Sequence, residues 1–205
     1  MLVMFVNMMS ENLRAQENLI EKIRKIAKRK TKPYGCHGWD HVDRVYDLCC
    51  FIGEKEGGDL ETLKIAALLH DIARDRRGDH ARNSAKEAER IMRELGFHRS
   101  KIYRIVDAIK THRFTGKSRP RTLEAKILAD ADKLDAMGAV GIYRAAAFGA
   151  EVQRPIQRTI DHFNEKLLKL KAMMYTKTAR GLAEGRHKFM LAYLEQIEKE
   201  IKIIT

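Results

Sequence analysis

The sequence predicts an all-α protein, a single helical domain of irregular bundle type. Three observations lead there. Only 3 prolines and 13 glycines punctuate 205 residues. The stretches between them place apolar residues three and four apart. No internal repeat, low-complexity tract or linker divides them, and the length suits one domain with a proper core.

The first clear helix is expected over about Glu17–Lys30, where Leu19, Ile20, Ile23, Ile26 and Ala27 share a face. TKPYGCHG breaks it, with Pro33, Gly35 and Gly38 as punctuation. A second helix starts near Asp40 or His41, carries the stripe Val42, Val45, Cys49 and Ile52, and ends in GEKEGGD. The third, about Leu60–Ala73, is apolar almost all round and is therefore expected to be central and buried. A fourth buries Ala81, Ser84, Ala85, Ala88, Ile91, Met92 and Leu95, with Gly96 as its stop. A fifth covers about Lys101–Thr111, and RFTGKSRPRT follows as a loop rich in cations. The sixth is about Leu123–Met137; a short helix passes through Tyr143 and Phe148; two longer ones fit Ile160–Met174 and Thr178–Ile201.

A formal net charge of +12 favours anionic partners: phosphorylated metabolites, nucleic acid or an acidic surface. A surface of solvated charges would account for it equally well. No apolar run approaches the roughly 20 residues of a membrane span. The N-terminal MLVMFVNMMSEN has no basic residue before its apolar run and makes a poor signal peptide. Residues 1–16 are expected to be a poorly ordered extension, with Met4, Met8 and Met9 as alternative starts, and the protein is expected to be cytoplasmic. Cys36, Cys49 and Cys50 lack CxxC spacing and suit thiols in a reducing compartment.

Chemistry concentrates at His70-Asp71, at the end of the most apolar helix. A charge there is costly unless it is paired or binds a metal. Alone, the pair is open to a capping or salt-bridge role. His41, at the start of the preceding helix, and Asp132, within LADADKLDA, change the balance, because antiparallel helices could bring the three segments together. Two imidazoles and two carboxylates suit Mn, Fe, Co, Ni or Zn better than an all-oxygen ion such as Mg or Ca. On an octahedral ion they leave two positions, for a phosphate oxygen and a water. Asp130 and Asp135 read as partners of the site, and a ligand role for Asp130 stays open.

The pattern His41, His70-Asp71, Asp132 resembles the HD-domain phosphohydrolase superfamily. HGWDHVDRV, AALLHDIARD, AIKTHRFTG and EAKILADADKLDAMGAVGI are similar to blocks of a subgroup of small stand-alone HD proteins. FNEKLLKLKAMM and TARGLAEGRHKFMLAYLEQ resemble its C-terminal helices, so the likeness runs from about residue 20 to 200. It implies one HD domain over 17–205, with a core at about 37–137 and additional C-terminal helices over 139–202. It also implies one divalent transition metal, Mn first and Fe, Co, Ni, Zn or Mg as alternatives, held by His41, His70, Asp71 and Asp132. The expected function is hydrolysis of a phosphate ester or phosphoanhydride in a small phosphorylated compound, a nucleotide in particular, by a metal-activated water.

Asp75, one turn after Asp71, is the candidate acid or base; pairing with neighbouring arginines is its alternative. Arg44, Arg74, His80, His112 and Lys133 are the candidate substrate-binding residues. A single His in each of GDHARNS and IKTHRF, where relatives with two metals carry more, argues against a full dinuclear site. His37, His98, His162 and His187 read as ordinary polar or structural residues, and Tyr34 and Trp39 as packing. A nucleic-acid-binding protein or a nucleotide sensor with a weak HD site is the other class, supported by RKIAKRKTK and RFTGKSRPR but by no recognisable RNA-binding motif. A homo-oligomer stays open.

Overall fold

The computed structural model describes the backbone of residues 2–113 and 118–203, and side chains over 14–113 and 118–202. Among these residues every regular element is helical: α1 (Leu2–Lys30), α2 (Trp39–Glu56), α3 (Leu60–Leu69), α4 (His80–Glu94), α5 (Arg99–Thr111), α6 (Leu123–Asp135), α7 (Gly138–Glu151), α8 (Ile156–Glu165), a 3₁₀ segment Leu167–Met173, and α9 (Lys177–Ile203). Helix α1 starts well before Glu17. The side chains of 1–13 lie outside the described residues, and so does the 114–117 part of the cation-rich loop.

Helices α2, α3, α5 and α6 pack on one another and hold the core; α4 lies on α5, α1 on α3, and α7 and α9 pair beside α6. The stripe on α2 is buried as its spacing requires: Val42, Val45, Cys49 and Ile52 are all nearly inaccessible. Gly57, in the left-handed region at φ 77, ends this helix. In α3 everything from Leu63 is buried except Lys64, as an all-apolar helix demands. Asp59 caps it, accepting from Thr62 N at 3.2 Å.

Two boundaries matter for the site. Helix α3 ends at Leu69, not near Ala73, because from His70 onward the chain makes tighter i to i−3 bonds: Ile72 N to Leu69 O and Arg74 N to Asp71 O. The short helix expected around Tyr143 is the 14-residue α7, and the helix expected over Ile160–Met174 is divided at Lys166. Beyond that break, buried Leu167 and Leu170 stand three apart, matching the threefold repeat of the 3₁₀ turn.

Candidate metal centre

Each histidine at the centre is placed by a helix end. His70 is the C-cap of α3, and its Nδ1 lies 2.7 Å from Ala67 O. His112 is the C-cap of α5, and its Nδ1 lies 2.6 Å from Ile109 O. In both, a carbonyl left without a helical partner takes the ring N–H, which turns Nε2 inward. Two helix C-termini therefore converge here, and their dipoles favour a cation. His41, in the first turn of α2, is held differently: its Nδ1 lies 2.8 Å from Asp135 Oδ2.

A carbonyl and a carboxylate are acceptors only, so both His70 and His41 carry their hydrogen on Nδ1. Their unprotonated Nε2 atoms nevertheless face each other at 3.1 Å. Two lone pairs at that distance repel unless a proton or a metal ion lies at them. Burial, only partly offset by the Asp135 hydrogen bond, pushes the pKa of His41 down and disfavours the proton. Asp132 Oδ1 is 3.5 Å and Asp71 Oδ2 3.8 Å from His41 Nε2, and Asp71 Oδ2 is also 3.8 Å from His70 Nε2. His41, His70 and Asp132 thus offer three ligand atoms within 4.8 Å of one another, and Asp71 lies against them. This donor set fits a divalent transition metal.

The carboxylates stay ionised. Burial would raise Asp71, but the imidazole of His70 and the guanidinium of Arg74 outweigh it and hold the carboxyl far below its usual range. Burial opposes ionisation of Asp132 in the same way, yet positive charge on the surrounding histidines, His112 foremost, would hold it down at about 2, and a cation at their Nε2 atoms would act in the same direction. Asp135, buried at 1% exposure, also receives Arg44 Nε at 2.6 Å and Arg144 Nη1 at 2.8 Å, and lies well below the ordinary carboxylate range despite its burial.

The structure brings His41, His70, Asp71 and Asp132 together, with His80 and His112 beside them. His80 Nε2 is 3.9 Å from Asp71 Oδ1, and Asp71, His80 and His112 form a second set of donors within 4.8 Å of one another. His112 is buried, and Asp79 caps α4 just before His80. Other expectations meet different surroundings. Arg44 is committed to Asp135. Lys133 is drawn back into its own helix, donating to Ala129 O at 2.8 Å and Asp130 Oδ1 at 3.2 Å, with its charge over the Tyr175 ring. Asp75 is two-thirds exposed and pairs with Lys32 at 3.2 Å. Asp130 faces away from the cluster and accepts from Tyr175 N, Thr176 N and Thr176 Oγ1, tying down the approach to α9.

Two residues join the site without having been expected there. His37 lies between two guanidiniums, with Arg74 Nη2 2.8 Å from its Nε2 and Arg144 Nη2 3.2 Å from its Nδ1. Burial, followed by the Arg74 charge, holds its pKa down at about 2. His37 lies in the turn just before α2, four residues from His41. Arg144 was legible as the single charge in GAVGIYRAAAFGA. Tyr34 does not pack, being 82% exposed at the rim of a cavity of about 490 Å³ that reaches down to His37, Asp71 and Arg74. A smaller cavity of about 210 Å³ lies against His80, Asp132 and Arg144. His37 and Arg74 line both.

Residues 38–137 match the HD domain family. The Bacillus subtilis protein YpgQ is 42% identical over 173 residues, 80% of this chain and 84% of its own. The crystal structure of YpgQ in complex with ADP superposes with a TM-score of 0.78 at 38% identity, covering 90% of this chain and 96% of that one. An HD-superfamily hydrolase from Bacillus thuringiensis superposes with a TM-score of 0.72 at 31% identity, covering 93% and 98%. With the converging His–His-Asp–Asp cluster, these similarities show that the chain belongs to the HD-domain hydrolase superfamily.

Proposed function

We propose that this protein is a divalent-metal-dependent phosphohydrolase acting on a nucleotide, with the ion held by His41, His70, Asp71 and Asp132. The observation that carries the reading is the pair of inward-facing, unprotonated Nε2 atoms 3.1 Å apart, with ionised carboxylates beside them. Bound there, a metal such as Mn supplies a water acidic enough to attack phosphorus near neutral pH.

The chain's own residues do the rest. Asp135 fixes the tautomer of His41 and keeps its Nε2 free. Arg74, which lines both cavities, and Arg144, in the smaller one, bring positive charge to the phosphates, with neutral His37 held between them. His80 lines the same cavity as Arg74, with His112 beside it, and both serve the same phosphates. The cavity of about 490 Å³ is large enough for a nucleoside, within the roughly 300–1,000 Å³ of small-molecule sites, and Tyr34 and Phe148 offer aromatic faces there. Asp75, at its rim, reaches a leaving group once its pair with Lys32 opens, and we give it the proton-carrying role. The ADP bound to YpgQ supports a nucleotide in a site of this kind.

The test is a panel of nucleoside mono-, di- and triphosphates offered to metal-stripped protein with Mn, Co, Ni or Mg added back. Release of phosphate or pyrophosphate that depends on the metal, and is lost in His70→Ala, supports the reading. A folded, metal-loaded protein that turns over none of them overturns it.

A further inference from the structure

Resting on that reading, we propose that Arg74 is a built-in cation that occupies the place of a second metal ion and limits the centre to one. The donors for a second ion are present: Asp71, His80 and His112 each offer a ligand atom within 4.8 Å of the others. The guanidinium of Arg74 reaches two of the three. Its Nη1 is 2.9 Å from Asp71 Oδ2, 3.2 Å from Asp71 Oδ1 and 3.3 Å from His80 Nε2. Its Nη2 is held at 2.8 Å by His37 Nε2, which fixes the plane of the group.

The tight turn after α3 accompanies this placement. Arg74 N donates to Asp71 O in the tight turn after Leu69, and the side chain folds back over the carboxylate three residues earlier.

A guanidinium suits this post. It is charged at every working pH and its planar fork can grip a carboxylate with one nitrogen and turn another elsewhere. Two-metal centres use the second ion to neutralise an attacked phosphoryl group. Arg74, 30% exposed towards the cavities, brings one positive charge to that side permanently. A metal ion and Arg74 Nη1 cannot both stand between Asp71 and His80.

The experiment counts ions. Metal-stripped full-length protein is titrated with Mn²⁺ by calorimetry, its metal content is measured after gel filtration, and paramagnetic resonance reports whether the ions are spin-coupled. Wild type is expected to hold one Mn²⁺ per chain with an uncoupled signal. Arg74→Ala is expected to hold two, coupled, and Arg74→Ala with His80→Ala to return to one. Arg74→Gln serves as a second neutral variant, with helical circular dichroism as the folding control. Two ions in wild type, or one in the folded neutral variants, overturns the role of Arg74 and leaves the metal reading standing. No ion in wild type sinks that reading, and this inference with it.

Discussion

Replacing Asp135 by Asn removes one negative charge from beneath the metal centre without changing its shape. The Asp135 carboxylate accepts from His41 Nδ1 at 2.8 Å, Arg44 Nε at 2.6 Å, Arg44 Nη2 at 3.2 Å and Arg144 Nη1 at 2.8 Å. Asn keeps one accepting oxygen, and its amide group then opposes N–H donors on every remaining side. The imidazole of His41 loses the partner that keeps its hydrogen on Nδ1. Losses of this kind lower metal affinity about 10–100-fold, which is about 1.4–2.8 kcal/mol. Arg144, only 6% exposed, is left with its charge unopposed. The metal-free fold therefore weakens too, by no more than the roughly 3–5 kcal/mol of a broken buried pair. Calorimetric titration of metal-stripped wild type and variant with Mn²⁺ reads the first effect, and thermal unfolding without metal reads the second. A folded variant that binds Mn²⁺ as tightly as wild type would refute the role given to Asp135.

Three further outcomes are expected. Asp75→Asn keeps its metal stoichiometry and slows turnover towards the roughly 10²-fold contribution of a general acid or base; unchanged kcat removes Asp75 from the reaction. Gly141→Ala presses its Cβ into the Ala136 backbone carbonyl at the turn that joins Asp135 to Arg144, and costs about 1–3 kcal/mol in denaturant unfolding; an unaltered midpoint contradicts that contact. The third outcome concerns pH. His80 is held at about 4, chiefly by burial, and His37 at about 2, by burial and then Arg74, against 6.5 for both in the unfolded chain. The unfolded chain takes up protons first, so metal-free protein loses stability as pH falls below about 6.5, until about 4 for His80 and further for His37. Thermal unfolding between pH 7 and 4 should show Tm falling less steeply in His37→Asn than in wild type, and parallel slopes refute the assignment.

Much of this was legible in the sequence. The stripe on α2, the all-apolar α3 and the glycine stops at Gly57 and Gly96 follow from local periodicity and backbone freedom, which a single sequence displays directly. His70, Asp71 and Asp132 could be read because each is a polar group in apolar surroundings, and His41, among charged neighbours in GWDHVDRV, through the family resemblance. What escaped depends on side-chain direction. Nothing along the chain says that Lys133 commits its charge to Asp130, away from the cluster, while Arg74, at the same spacing, folds back onto Asp71 within it. His37 escaped because it precedes α2 in a loop whose course depends on Arg144, over a hundred residues away. The split of the expected Ile160–Met174 helix at Lys166 has no local signal that we can identify.

The most direct test is anomalous scattering from crystals of the Mn²⁺-loaded protein. The account predicts one strong peak about 2.0–2.3 Å from His41 Nε2, His70 Nε2 and one oxygen each of Asp71 and Asp132. A fully loaded crystal whose peak lies away from these four side chains would contradict it.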